Sequence, residues 1–92
     1  MQDYKKLKVW ERGHKFCLEV YKSTNNFPSE ERFGITSQLR RAAVSIPTNI
    51  VEGSSRGSQK EFNRFLQIAL GSAAEVEYLL YLSNELNFLN QE

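Results

Sequence analysis

Apolar residues recur at three- and four-residue steps in three stretches of the chain, the spacing typical of amphipathic helices. The first stretch, for example, carries Leu7, Trp10, His14, Cys17 and Tyr21 at such steps. The three stretches predict helices over about residues 8–25, 35–52 and 59–86. The fold class that follows is all-α: an up-and-down antiparallel helical bundle of three helices, formed by a single domain over residues 1–92.

Helix-stopping and helix-starting residues separate these stretches. Pro28 lacks an N–H and biases Phe27 away from helical backbone angles, so the first connection lies there. Ser58 followed by Glu61 predicts a capping box, in which the serine accepts from the backbone of Glu61 and the glutamate reaches back. Because the second connection is short, the second and third helices are expected to be antiparallel neighbours.

Pro47 interrupts the pattern of the central helix. It removes one backbone donor and clashes with the carbonyl of Ala43, which costs about 3 kcal/mol in an ordinary helix interior. We therefore predict a bend at Pro47, with Ser45 and Asn49 supplying local hydrogen bonds. Gly53 is expected at the C-terminal end of this helix.

Small residues inside the helices mark points where two backbones can approach closely. Gly13 costs about 1 kcal/mol of helix propensity relative to alanine, which makes it a candidate packing point. Gly71 and Ser72 would allow the second and third helices to approach each other.

A polar stripe runs beside the apolar stripe of the central helix. Its members and their expected partners form a predicted structural network of six residues: Gln38, Arg41, Ser45, Asn49, Glu52 and Glu75. Counting back from the connection brings Arg41 near the level of Gly71 and Ser72, with Glu75 one turn further along, so an Arg41–Glu75 or Gln38–Glu75 contact is expected. Buried polar groups must be paired whatever their role, which favours a network that fixes register over a catalytic or ligand site. An enzyme using Arg41, Glu52 and Glu75 remains the alternative.

Charge is distributed unevenly although the net charge is only +1. All 12 lysines and arginines lie in residues 1–64, whereas residues 65–92 contain four acids and no base. Two clusters concentrate the positive charge: Lys5, Lys6, Lys8, Arg12 and Lys15 near the N-terminus, and Arg56, Lys60 and Arg64 at the start of the third helix. Each cluster is interpreted either as a solvated surface or as a set of phosphate contacts.

Several other classes of protein are not favoured by the sequence. The N-terminus has no apolar core typical of a signal peptide, and no apolar run approaches the roughly 18 residues of a membrane span. One cysteine cannot form an internal disulfide, so we expect a cytoplasmic protein without membrane association. Neither His14 with Cys17 nor the glycine–serine loop after Gly53 has the pattern of a metal site, a nucleophile pair or a phosphate loop, and no cofactor or metal is expected.

The segment Ser45-Ile46-Pro47-x-Asn49-Ile50-x-Glu52-Gly53 carries a family resemblance, together with positions on either side of it. The further matching positions are Phe27-Pro28, Gly34, Gln38 to Ala42, Phe65-Leu66, Ala69, Gly71-Ser72 and Glu75. In these residues the chain resembles the four-helix-bundle proteins encoded in intervening sequences of bacterial large-subunit ribosomal RNA genes. That family carries a ribosomal-protein-like annotation and is related to the accessory variability protein of diversity-generating retroelements.

The resemblance implies a helical bundle that assembles into a homopentameric ring. In the retroelement relatives it also implies a basic surface that binds nucleic acid and a reverse transcriptase. Relatives usually continue into a fourth helix, whereas this chain stops at Glu92, so we expect either a truncated product or a partner that supplies the missing face.

Together these observations predict a non-enzymatic, self-assembling helical-bundle protein that binds RNA or DNA through basic clusters repeated around a ring. A structural or protein-partner adaptor without nucleic-acid binding is the alternative, with a reverse-transcriptase-like protein as one possible partner.

Overall fold

Three α-helices account for most of the chain in a computed structural model that describes residues 3–89. They are α1 (Lys8–Thr24), α2 (Ile35–Ser54) and α3 (Gln59–Glu85). Short 3₁₀ turns at Tyr4–Lys6 and Ser29–Glu31 precede α1 and α2. The described residues contain no strand, which confirms the all-α prediction.

The central helix α2 holds the other two together. Gly13 of α1 lies against Ile46 and Ile50, so α1 runs antiparallel to α2. On another side of α2, Gly53 lies against Phe65 of α3, which runs antiparallel to α2 as well. No Cα atom of α1 lies within 8 Å of one in α3, and the shared core is therefore organised around α2.

The core consists of the apolar stripes that the spacing predicts. Leu39, Ala43 and Ile50 of α2 and Val76 of α3 are at most 1% exposed. Burying a side chain such as leucine, isoleucine or valine contributes about 1.5–3 kcal/mol relative to leaving it in water. The stripes therefore supply the main driving force for packing α1 and α3 onto α2.

Two glycines set how closely the helices approach. A Cβ atom built on Gly13 would lie 3.1 Å from Cγ2 of Ile46, which confirms that Gly13 is a packing point. A Cβ atom built on Gly53 would lie only 2.8 Å from Cβ of Phe65. Gly53 lies at the C-terminal end of α2 as expected, one residue before the last, and α2 extends two residues beyond the predicted Glu52, to Ser54.

Pro47 lies within one uninterrupted helix, Ile35–Ser54. Proline leaves the carbonyl of the preceding turn without its usual donor. Beside that position, the side-chain amide of Asn49 donates to the carbonyl of Ser45 at 2.8 Å and to its hydroxyl at 2.9 Å. Ser45 and Asn49 thus form local hydrogen bonds, but with each other and not with the carbonyl of Ala43 that Pro47 leaves free, and the bend at Pro47 stays a prediction.

The close approach at Gly53 generates a stability prediction with an internal control. Gly53→Ala should lower the free energy of unfolding by about 1–3 kcal/mol, because the new methyl group forces α2 and α3 apart. Gly71→Ala should raise it by about 0.5–1 kcal/mol, since no atom lies within 4 Å of the added methyl group. Urea unfolding followed by circular dichroism measures both, and equal effects of the two substitutions would contradict the assigned packing.

Candidate nucleic-acid interface

Both predicted basic clusters lie at the same end of the molecule. The antiparallel arrangement brings the start of α1, the end of α2 and the start of α3 together. We call residues 3–15 and 52–64 the basic end: they contain eight bases and four acids, a net charge of +4. The remaining described residues contain four bases and six acids, a net charge of −2.

The N-terminal cluster carries the less compensated charge of the two. Lys15 pairs with Glu11 at 3.7 Å, and both side chains are largely exposed. The exposed side chains of Lys6, Lys8 and Arg12 form no ion pair with any described residue. This part of the basic end therefore presents cations that an external anion can contact.

The arginines at the start of α3 are already paired with carboxylates. Arg56 lies 3.2 Å from Glu52, and Arg64 lies 3.2 Å from Glu61. Both guanidinium groups also lie over the ring of Phe65, at 4.9 and 4.5 Å from its centroid. The carboxylates of Glu52 and Glu61 thus partly neutralise the predicted cluster Arg56, Lys60 and Arg64.

The pairing of Glu61 changes the predicted capping box. Ser58 does accept a hydrogen bond from the backbone N–H of Glu61, at 3.1 Å, as expected. The Glu61 carboxylate turns to the guanidinium of Arg64, with contacts of 3.2 and 3.3 Å, instead of reaching back to Ser58. Only the serine half of the box is formed.

The predicted structural network is smaller within one chain than expected. The hydroxyls of Ser45 and Ser72 lie 2.8 Å apart and, with Asn49, form a half-buried polar contact between α2 and α3. Ser72 therefore marks the close approach, whereas Gly71 faces outward and does not, contrary to the expectation.

The other predicted members of the network lie on the surface. Gln38, Arg41 and Glu75 are exposed and form no hydrogen bond with one another, so the expected Arg41–Glu75 and Gln38–Glu75 contacts are absent. Val76 is fully buried, and since successive helical residues point about 100° apart, Glu75 is turned away from the core. Glu52 is also exposed and pairs with Arg56 instead.

The other potential chemistry on α1 has a structural explanation. His14 stacks on Trp10, with ring centroids 4.9 Å apart and planes 9° from parallel. Cys17 is part of the hydrophobic core, and its burial raises the pKa of the thiol above its ordinary value. Over residues 3–89, no group of three or more His, Cys, Asp and Glu side chains could hold a metal ion.

A groove over the outer face of α2 collects residues that the sequence analysis did not bring together. It is open to solvent, has a volume of about 720 Å³ and includes Arg32, Arg40 and Arg41 in its lining. No acidic residue lines it. We call it the α2 groove. One sequence feature could have predicted this groove: Ser37, Arg41 and Val44 follow three- and four-residue spacing on the side of α2 opposite its buried stripe.

Judged by length and composition alone, the apolar helix α3 could cross a membrane. One such helix is weak evidence, since the core helix of a soluble protein can pass the same test. Here Phe65, Ala69, Val76 and Leu79 are buried within the bundle. Leu70, Tyr78 and Tyr81 are 65%, 59% and 64% exposed, so one side of α3 has no partner within the described chain.

The fold and these surfaces define an all-helical bundle protein with one basic end. A model of the family described as 23S rRNA-intervening sequence protein matches residues 5–92. The chain belongs to the 23S rRNA-intervening sequence protein family, as the resemblance implies. A search of curated proteins finds no match for the chain.

Burial of Cys17 generates a prediction for the dependence of stability on pH. Because the pKa of the thiol is higher in the folded than in the unfolded state, its contribution is fully present below the unfolded value of about 8.5. That contribution is lost as the pH rises through the folded pKa, by at most about 1.4 kcal/mol per pH unit. Urea unfolding between pH 7 and 10 should therefore show a steeper loss for the native protein than for Cys17→Ala, and parallel curves would contradict the assignment.

Proposed function

We propose that this protein is a non-enzymatic, self-assembling module that binds RNA or DNA through its basic end. The observation that carries the proposal is the concentration of eight of the 12 bases at that end. Lysine and arginine side chains bind nucleic-acid phosphates independently of sequence and release condensed counterions as they do so. The proposal predicts backbone binding with little base specificity and places the protein in the cytoplasm, without a membrane.

The unpaired cations of the N-terminal cluster are the strongest part of this surface. Lys6, Lys8 and Arg12 have no acidic partner among the described residues, so a phosphate can approach them without displacing an ion pair. Contact with Arg56 or Arg64 requires competition with Glu52 or Glu61, although such exposed pairs contribute only about 0–1 kcal/mol. We therefore assign the larger share of binding to the N-terminal cluster.

Self-assembly would make a weak basic end effective. A protein of this size buries only about 60–65% of its unfolded surface, so a further interface adds useful apolar burial. The exposed side chains of Leu70, Tyr78 and Tyr81 on α3 offer such an interface. In a ring, such as the pentamer that the resemblance implies, repeated basic ends would raise avidity by about 10²–10⁴ over one copy.

Binding of the protein to a labelled single-stranded RNA is measured at two salt concentrations. Affinity should fall as salt rises, and the triple variant Lys6→Gln, Lys8→Gln, Arg12→Gln should bind more weakly with a smaller salt dependence. Each lost phosphate contact reduces the slope of log K against log salt by about 0.7 for a single strand. Fluorescence anisotropy measures both quantities.

Arg12→Gln changes a single member of the N-terminal cluster, and Lys22→Gln is its matched control. Both substitutions remove one positive charge from an exposed position on α1, but Lys22 lies outside the basic end and pairs with Glu19. Reversing Arg56, Lys60 and Arg64 to glutamate changes the net charge of the basic end from +4 to −2, and this repulsion should abolish binding without changing the helical signal. Failure to bind RNA or DNA even at low salt, or binding that is insensitive to salt, would favour the protein-partner adaptor.

The assembly prediction uses light scattering on the native chain and on Leu70→Glu, Tyr81→Glu. The native protein should have a mass that is a multiple of 10.7 kDa, and the double variant should shift toward the monomer because it places charge on the apolar side of α3. Ser23→Glu, Ser29→Glu adds the same charge at exposed positions elsewhere and should assemble normally. A native monomer would remove the avidity argument.

A further inference from the structure

The α2 groove has the charge of an anion-binding site. Arg32, Arg40 and Arg41 line it, and no acidic side chain does, so none of the lining residues compensates their charge. Its location also separates it from the basic end: Arg40 contacts Thr24 at the far end of α1. A ligand there would not compete with the phosphate contacts of the N-terminal cluster.

Arg40 is held in place by neutral partners only. Its Nε donates to the hydroxyl of Thr24 at 2.8 Å, and its Nη2 donates to the side-chain oxygen of Asn25 at 3.2 Å and to the carbonyl of Tyr21 at 3.3 Å. The guanidinium also lies over the ring of Tyr21, 4.7 Å from the centroid. An arginine ordered in this way keeps its full charge and loses little further side-chain entropy when an anion binds.

A buried hydroxyl in the lining of the groove has no partner. Thr36 is 7% exposed, and its Oγ1 forms no hydrogen bond with any described residue. Leaving a buried polar group unsatisfied costs about 1–3 kcal/mol. The Oγ1 atom of Thr36 is closed to solvent, however, so it offers no contact to a ligand in the groove as the side chains stand. The hydroxyls of Ser37 and Thr48 line the same groove and add donors for an oxygen-rich ligand.

Aromatic rings accompany two of the three arginines. Phe33 is 87% exposed, and the Arg32 guanidinium lies 5.0 Å from its ring centroid. Tyr21, beneath Arg40, is 40% exposed. Exposed aromatic rings beside cations are the elements on which nucleotide bases stack. The volume of about 720 Å³ falls within the roughly 300–1,000 Å³ of small-molecule sites.

We propose that the α2 groove binds a nucleoside monophosphate, with the phosphate at Arg40 and Arg41 and the base stacked on Phe33. Arginine suits this role because its planar donors match phosphate oxygens bidentately. Arg41 donates no hydrogen bond to a described residue and can bind in this way, whereas Arg40 has only its Nη1 donors left for the phosphate. The shared chemistry is a phosphate next to an aromatic base, supplied either by a free nucleotide or by one nucleotide of a single strand. The site does not depend on the proposed function of the basic end.

The test titrates the full-length protein with adenosine 5′-monophosphate by isothermal calorimetry. One nucleotide should bind per chain, and Arg41→Gln should weaken binding about tenfold through loss of a charge-assisted contact. Inorganic phosphate and adenosine alone should each bind more weakly than the nucleotide. Phe33→Leu should reduce the affinity for the nucleotide but not for inorganic phosphate, since only the base contacts the ring.

Lys22→Gln is the matched control, because it removes one exposed positive charge near the same end without lining the groove. It should leave nucleotide binding unchanged. A phosphorylated tetranucleotide shows whether the bound nucleotide is free or part of a strand. If it binds more tightly than the monophosphate and loses the same affinity in Arg41→Gln, the ligand is a strand. If the two affinities are equal, the ligand is the free nucleotide.

Three outcomes would overturn the site. The first is that the nucleotide does not bind at millimolar concentration. The second is that Arg41→Gln and Lys22→Gln weaken nucleotide binding equally. The third is that Arg41→Gln alters the mass of the assembly while the native protein binds no nucleotide. The last result would identify the groove as an interface between copies of the chain. Loss of RNA binding in the variants of the basic end, with nucleotide binding retained, would leave this proposal intact.

Discussion

Close packing of α2 against both of its neighbours is the constraint on which the rest of the structure depends. Gly13 allows α1 to lie against Ile46 and Ile50, and Gly53 allows α3 to approach until its Phe65 touches the α2 backbone. No Cα atom of α1 lies within 8 Å of one in α3, so packing on α2 sets the register of the bundle. A chain of this length has little other core, and a loss of packing at either glycine has nothing to offset it.

This arrangement also distributes charge and apolar surface. Antiparallel packing brings the starts of α1 and α3 to one end, where the bases outnumber the acids two to one. It leaves the outer face of α2 open as an arginine-lined groove and leaves Tyr78 and Tyr81 of α3 exposed. Three surfaces with different chemistry therefore surround one small core.

The prediction of the candidate site from the sequence failed where helix ends and helix rotation matter. Glu52 and Arg56 have the four-residue spacing of a helical ion pair, but Arg56 lies in the loop between α2 and α3, where helical spacing does not predict a contact. The expected contact between Arg41 and Glu75 is absent for two reasons. Ser45, one turn after Arg41, is the residue level with Ser72, and Val76 occupies the inward position next to Glu75. The α2 groove needed Tyr21 and Arg40 from different helices, which no local pattern joins.

The sequence by itself determined the three helices, the apolar stripes, the serine cap at Ser58, the packing role of Gly13 and the family. These depend on residues within about four positions of one another, or on a motif that is contiguous in the chain. Only the tertiary structure decided that Gln38, Arg41 and Glu75 lie exposed and apart, and that Arg40 and Arg41 line a groove without acids together with Tyr21 of α1. The reason is physical: charge compensation and burial depend on distances between helices, and rotation by a single residue turns a side chain about 100° from core to solvent.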